Sequence, residues 1–167
     1  MSHDPVYSPA HYTVYPIQPI EITRYLSFCL GNATKYALRA PHKGGAEDCD
    51  KAMRYLELER ERYQPPLPHY EYECCRANAR KLANFLLHAE GDILFGDVAE
   101  CQIDYLDLLG SYLTLIDLQS SARLRDEIID RMLASMRNLR RILALADTTG
   151  QIYEGLSGLP GKGAEDD

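Results

Sequence analysis

Cationic side chains are concentrated in one short stretch of an otherwise acidic chain. The 167-residue sequence has a formal charge of −7, yet the segment from Arg24 to Arg54 holds six Lys/Arg and three Asp/Glu, a local balance of +3. Cations that are clustered within an acidic protein are typical of a site that holds an anion. We expect Lys35, Arg39 and Lys43 to contact that anion.

The spacing of the apolar residues places these cations on a helix. Apolar side chains recur at intervals of three and four between Ile22 and Tyr36, which predicts a helix from about residue 20 to residue 40. Pro41 is predicted to end it, because proline cannot continue the hydrogen-bond ladder. Another face of the same predicted helix carries Phe28, Asn32, Lys35 and Arg39.

A glycine pair separates this helix from a second one. Gly44 and Gly45 form a predicted turn in which backbone N–H groups can approach an anionic oxygen. The second helix is predicted to start near Ala46, with Glu47 and Asp48 in its first turn, where the helix dipole favours negative charge. The residues predicted to pack it against the first helix are Ala52, Tyr55 and Leu56.

The competing interpretation of the cationic row is a solvated helix face. Lys/Arg rows on amphipathic helices commonly face water, and Glu47 with Lys51 is an ordinary i,i+4 ion pair. The sequence contains neither a G-x-x-x-x-G-K-[ST] nor a G-x-G-x-x-G phosphate-binding motif. Residue types and spacing therefore leave both interpretations open.

The first third of the chain resembles a small family of phage and prophage proteins. The resemblance covers roughly residues 4–60. Its motifs are Asp4-Pro5-Val6, Pro9-x-His11-Tyr12, Glu21-Ile22, Phe28, Gly31-Asn32, Lys35-Tyr36, Arg39, Lys43-Gly44-Gly45, Glu47-Asp48, Lys51-Ala52 and Tyr55-Leu56-Glu57. The family is usually catalogued as a domain of unknown function. One member, an early protein of a short-tailed coliphage, is known as a nucleotide kinase that lacks a P-loop.

The resemblance implies a nucleotide-binding protein that transfers a phosphoryl group to a nucleoside monophosphate, such as a deoxynucleotide. Such a reaction requires positioning and positive charge more than covalent chemistry. Lys35, Arg39 and Lys43 would be the catalytic cations, and Glu47 with Asp48 would hold Mg²⁺ or a ribose hydroxyl. The remaining nucleotide-binding positions would be His11, Tyr12, Asn32, Tyr36, Gly44, Gly45 and Lys51, with the tyrosines as stacking surfaces. For Asn32, reading a base edge and capping or bridging helices are both open.

The whole sequence predicts an all-α fold, a helical bundle with an extended Pro-rich N-terminal arm. Four regions follow along the chain: the arm with the helical pair (1–62), a Pro-rich connector (63–70), a helical assembly region (71–149) and a flexible acidic tail (150–167). Ser120 or Ser121 can cap the last helix, after a joint short enough to make its neighbour antiparallel. The five cysteines show no zinc spacing, which predicts buried, reduced thiols.

Two features of the second half suggest other properties. Asp97, Glu100, Asp104 and Asp107 share one helix face, which is either solvated or a Mg²⁺ site similar to those of all-α nucleoside triphosphate pyrophosphatases. The helix from Asp97 to Leu118 is apolar over more than half of its circumference. That predicts a homo-oligomer, unless several helices of the same chain cover it.

Composition excludes some classes of protein. No apolar run is long enough to span a membrane, and the polar start is not a signal peptide, so we expect a cytoplasmic protein, in the host cytoplasm if a phage encodes it. The acidic balance and the lack of a broad basic face disfavour nucleic-acid binding. Two further classes stay open: a non-catalytic nucleotide sponge that blunts a host defence without a metal, and a helical module that binds another protein through residues 71–147.

Overall fold

The computed structural model describes residues 15–61, 69–89 and 93–149. Within these ranges the chain is helical apart from short turns and contains no strand, which confirms the all-α prediction. Most of the Pro-rich arm, most of the connector and the acidic tail lie outside the described residues. None of the helices in the described ranges is long and apolar enough to cross a membrane.

The described helices form one bundle. They are α1 (Ile20–Thr23), α2 (Phe28–Arg39), a 3-10 helix (Ala40–His42), α3 (Gly45–Glu61), α4 (His69–His88), α5 (Ile93–Asp117) and α6 (Ala122–Thr149). α3 packs against both α2 and α6, α5 packs against both α4 and α6, and α1 contacts α2 and α4. One continuous apolar core therefore joins the cation-rich helices to the second half of the chain.

The long apolar surface of α5 is covered within the chain. Tyr105, Leu109 and Leu113 are buried, and α4 and α6 lie against the helix. Burial by intrachain helices accounts for its apolar circumference, so this feature gives no support for a second subunit. Homo-oligomerisation stays a prediction.

The helix predicted from residue 20 to residue 40 is in fact two helices. Ser27 has an extended backbone (φ −54°, ψ 159°), and its side chain accepts a hydrogen bond of 3.1 Å from the Leu30 N–H, so it caps α2. A Cβ at Gly31 would lie 3.3 Å from the Thr23 carbonyl oxygen, so the missing side chain permits the close approach of α1. The end of α2 at Arg39, just before Pro41, is as predicted.

The joint between α5 and α6 is a compact helix ending. Gln119 has a left-handed backbone with φ 52°. The Ser120 N–H donates to the Leu115 carbonyl at 2.8 Å and the Gln119 N–H to the Ile116 carbonyl at 2.9 Å, which satisfies the last carbonyls of α5. α6 begins at Ala122, directly after the serines, as predicted.

The five cysteines form no disulfide in the part of the chain that the structure describes. Four are buried and Cys74 is partly buried. Burial raises the pKa of the Cys49 thiol to about 12 and that of Cys101 to about 11. These thiols are therefore protonated and unreactive at neutral pH.

Candidate functional site

Three cations converge on the ring of Tyr36. The Lys35 ammonium lies 4.5 Å from the ring centroid, the Arg39 guanidinium 4.9 Å and the Lys51 ammonium 5.7 Å. Contacts of this kind are attractive because the aromatic face carries negative charge. Lys51 comes from α3 and the other residues from α2. We call these four residues, Lys35, Tyr36, Arg39 and Lys51, the Tyr36 face.

A row of aromatic rings extends from the Tyr36 face. Tyr36 stacks on Tyr55 of α3, with ring centroids 5.9 Å apart and an interplanar angle of 14°. Phe28 then meets Tyr55 edge to face, at 6.0 Å and 74°. The three rings pack α2 against α3, as predicted for Tyr55.

The Arg39 guanidinium is bound to a carboxylate of its own chain. Its Nε donates to Asp48 Oδ2 and its Nη2 to Asp48 Oδ1, both at 2.7 Å. The Asp48 side chain is 1% exposed. Lys51 Nζ lies 3.6 Å from Asp48 Oδ1 and 2.6 Å from Glu47 Oε1. The two hydrogen bonds from the Arg39 guanidinium satisfy both oxygens of Asp48, which explains why this carboxylate can be buried.

Gly44 makes room for that carboxylate. A Cβ at position 44 would lie 2.0 Å from Asp48 Cγ, so no side chain fits there. Gly45 has φ 52°, a conformation that favours glycine. We expected the glycine pair to approach an oxygen of a ligand. In this structure the anion beside Gly44 is the Asp48 carboxylate.

This pairing changes the interpretation of Glu47 and Asp48. Asp48 is buried with both oxygens bound by Arg39, whereas Glu47 is exposed and paired with Lys51. The two carboxylates do not fit as a joint Mg²⁺ site in this arrangement. The described residues contain no group of three His, Cys, Asp or Glu that could hold a metal. Mg²⁺ binding by this pair stays a prediction that requires Asp48 to leave Arg39.

Asn32 links Phe28 to Lys35. Its Nδ2 donates to the Phe28 carbonyl at 2.8 Å, and its Oδ1 accepts from Lys35 Nζ at 2.9 Å. The structure thus shows hydrogen bonding within α2, which is neither the cap nor the interhelical bridge considered for Asn32, and contact with a base edge stays a prediction. Lys43 is exposed in the turn after the 3-10 helix. His11 and Tyr12 lie outside the described residues.

The cation-bearing helices coincide with a family match. Residues 6–57 match the family model described as a protein of unknown function, DUF3310. No curated protein and no solved structure matches the chain. The DUF3310 segment contains the whole Tyr36 face and ends inside α3.

A buried polar network at the end of α2 was not predicted. The Tyr15 hydroxyl donates to the Leu38 carbonyl at 2.8 Å and lies 2.9 Å from His42 Nε2. Gln102 Nε2, on α5, lies 3.0 Å from the Tyr15 hydroxyl and donates to the Ala37 carbonyl at 3.1 Å. The network satisfies the last carbonyls of α2 and ties the DUF3310 segment to α5. Its only sequence signal is a polar Gln102 within an apolar stripe.

A buried carboxylate supports the other end of α2. Glu59 follows the DUF3310 segment on α3, and it accepts hydrogen bonds from the Ser27 hydroxyl at 2.6 Å and the Tyr112 hydroxyl at 3.4 Å. Burial raises the pKa of Glu59, and these hydroxyls partly oppose the rise. Spacing gave no signal for this contact, because its partners are distant in sequence.

The acidic strip of α5 faces solvent. Its four members, Asp97, Glu100, Asp104 and Asp107, are exposed. A pyrophosphatase-like Mg²⁺ site needs a second acidic pair on a facing helix, which Asp50 of α3 or Asp130 of α6 could help to form. Both carboxylates are engaged elsewhere: Asp50 accepts from Arg140 Nε at 2.7 Å, and Asp130 pairs with Arg60. Within the described ranges, the two facing acidic pairs that the pyrophosphatase interpretation requires do not form a metal-binding group.

Proposed function

We propose that the Tyr36 face binds the phosphates of a nucleotide, with phosphoryl transfer to a nucleoside monophosphate as the specific reaction. The observation that carries the proposal is the convergence of Lys35, Arg39 and Lys51 on one tyrosine of an acidic protein. The DUF3310 match carries no activity of its own. The kinase interpretation rests on the resemblance described from the sequence.

The Tyr36 face keeps a net positive charge despite the carboxylates that are paired with its cations. Its three cations, Lys35, Arg39 and Lys51, outnumber the two carboxylates paired with them, Glu47 and Asp48, and leave a net charge of +1 on these five residues. Lys35 is oriented by Asn32 and Arg39 by Asp48, so two of the charges are held before a ligand arrives. Preorganised positive charge is the main contribution that phosphoryl transfer asks of a protein.

A non-catalytic nucleotide binder is the second candidate. The observation that favours it is the burial of Asp48 against Arg39, which leaves Glu47 as the one exposed carboxylate of the pair. Binding of an anion needs only the cations of the face. Such a protein would sequester a nucleotide without turning it over.

The first prediction tests nucleotide binding with a single lysine. Lys35→Ala should weaken nucleotide affinity about 10- to 100-fold, the equivalent of one charge-assisted hydrogen bond. Helicity should be unchanged, since Lys35 is only partly buried and alanine is a good helix former. Thermal shifts across a panel of nucleoside mono-, di- and triphosphates, with and without Mg²⁺, give the measurement.

Lys81→Ala is the matched control, because Lys81 is an exposed lysine on α4, outside the face. Equal nucleotide-induced shifts in Lys35→Ala and the parent would contradict the proposal. Product analysis on any binding nucleotide then separates the candidates. Transfer between a donor and a monophosphate supports the kinase, and binding without transfer for every pair supports the non-catalytic binder.

A further inference from the structure

We infer that Phe28 is the platform on which the base of the nucleotide stacks, while the phosphates lie toward Lys35 and Lys51. This inference rests on the proposed function and adds the orientation of the ligand to it. It also defines the ligand class: a flat ring joined to an anionic chain, rather than an inorganic anion alone.

Phe28 is an aromatic side chain left open to solvent. Its residue is 71% exposed, the largest exposed fraction among the large apolar residues that the structure describes. Scattered exposed apolar residues are ordinary. Phe28 differs from the others because it stands in a row with Tyr55 and Tyr36, beside a cluster of cations.

The platform is held in place by the start of α2. Phe28 is the first residue after the Ser27 cap, and its carbonyl accepts a hydrogen bond from Asn32. Its ring rests against the edge or face of Tyr55 at 6.0 Å between centroids. A ring that is ordered before binding loses little conformational freedom when a base stacks on it.

Tyr36 is less suited to the same role. Its ring is stacked on Tyr55 and is approached by three cations. We had expected Tyr36 to offer a stacking surface, and in the structure the more exposed ring of the row is Phe28.

The spacing between platform and cations fits a nucleotide. Phe28 and Lys35 are seven residues apart on one helix, which corresponds to about 10 Å at 1.5 Å rise per residue. That length is comparable to the reach from the base to the terminal phosphates of an extended nucleotide. Asn32, between them, accepts a hydrogen bond from Lys35 Nζ and so positions the cationic end of the site, while Tyr55 supports the Phe28 ring.

Phe28→Ala tests the inference against two ligands. Affinities are measured for the four common ribonucleoside triphosphates and for inorganic tripolyphosphate, which has the charge but no base. Loss of stacking should weaken nucleotide binding about 5- to 150-fold, whereas tripolyphosphate affinity should stay within a factor of two. Phe28→Tyr keeps the ring and should bind nucleotides like the parent.

Leu87→Ala is the control for loss of an exposed apolar side chain, because Leu87 is 66% exposed on α4. It should leave both affinities unchanged. Nucleotide binding by Phe28→Ala at parental affinity overturns the inference alone and leaves the proposed function standing. Equal losses of affinity for the nucleotides and for tripolyphosphate overturn it as well, since they indicate that the substitution has disturbed the Tyr36 face itself. A parent that binds no nucleotide removes the proposed function itself.

Discussion

At Gly44 the missing side chain leaves space for a carboxylate. The Asp48 carboxyl group occupies the position that a Cβ would need and is clamped there by the Arg39 fork. Arg39 therefore stabilises the fold even without a ligand, because its loss would leave a buried carboxylate without its bidentate partner. Among the residues of the face, Lys35 and Lys51 are better placed to meet an incoming anion.

Gly44→Ala is expected to destabilise the protein by about 1–3 kcal/mol, because the new Cβ collides with the buried Asp48 carboxyl group. In an Asp48→Ala background the collision is gone, so the same substitution should have little effect. Urea unfolding of the four variants of this cycle measures the coupling.

Gly45→Ala provides the control for that cycle. Its strain comes from a φ of 52° and not from Asp48, so its effect should be similar in both backgrounds. The interpretation fails if Gly44→Ala is equally destabilising with and without the Asp48 carboxylate.

α2 is fixed at both ends by buried polar groups from other helices. Ser27 and Glu59 meet at its start, and Tyr15 with Gln102 binds the carbonyls at its end. These contacts hold the cations and Phe28 in one orientation relative to α3. The site is thus positioned by residues that do not belong to it.

Glu59→Gln should change the pH dependence of stability. Burial raises the pKa of Glu59, so the folded protein binds this proton more tightly than the unfolded chain. The contribution of Glu59 to the free energy of unfolding is fully present below the pKa that its carboxyl group has in the unfolded chain. It is lost as the pH rises through the higher pKa that the group has in the folded protein. Glutamine cannot ionise, so thermal melts should show the stability of Glu59→Gln relative to the parent increasing with pH across that range.

Glu57→Gln is the control for that experiment, as Glu57 is an exposed carboxylate on the same helix. Its stability relative to the parent should not follow the titration of Glu59. Parallel pH profiles for Glu59→Gln and the parent would show that the Glu59 carboxyl group is not desolvated.

Periodicity predicted the helices because burial of one face leaves a repeating pattern. The starts of α3 and α6 and the end of α2 carried local signals as well, in the glycine pair, the serines and Pro41. The break between α1 and α2 was missed because Ile22 and Leu26 continue the apolar stripe across it. What breaks the helix is the Ser27 cap, and its partner Glu59 lies 32 residues away.

The site was predicted in part. The sequence grouped Lys35 with Arg39, since residues one helical turn apart share a face, and it gave Lys43 as the third cation. In the structure the third cation at Tyr36 is Lys51 of α3, which helical spacing within α2 could not bring there. It did not show that Asp48 binds Arg39, because the direction of a short side chain depends on the space beside it. The role of Asn32 within α2 likewise depended on which neighbours accept its hydrogen bonds.

Across the whole molecule, α3 joins the cationic face to the rest of the bundle. It packs against α2 on one side and α6 on another, and Arg140–Asp50 and Arg60–Asp130 ion pairs bridge α3 and α6. α5 lies between α4 and α6 with its apolar side chains inside the core. A substitution that disrupts the packing of α5 should therefore destabilise the whole bundle.

Leu109→Asp places a charge at a position that is 0% exposed, which costs several kcal/mol, so the cooperative thermal transition should be lost or strongly lowered. Asp104→Asn and Asp107→Asn, on the exposed side of the same helix, should stay within about 0.5 kcal/mol of the parent. Circular dichroism melts measure all three.

A parental melt for Leu109→Asp would contradict the packing of α5. A large loss of activity in Asp104→Asn or Asp107→Asn, with an unchanged melt, would return the acidic strip to consideration as a metal site. Light scattering on the parent measures the oligomeric state separately.

The DUF3310 segment ends at residue 57, before the last residues of α3, and α3 is buried from two directions. One side of α3 is covered by α2, which lies inside the matched segment, and the other side by α6, which lies outside it. In this chain the surface that carries the cations is therefore held in place by a helix that the family match does not include.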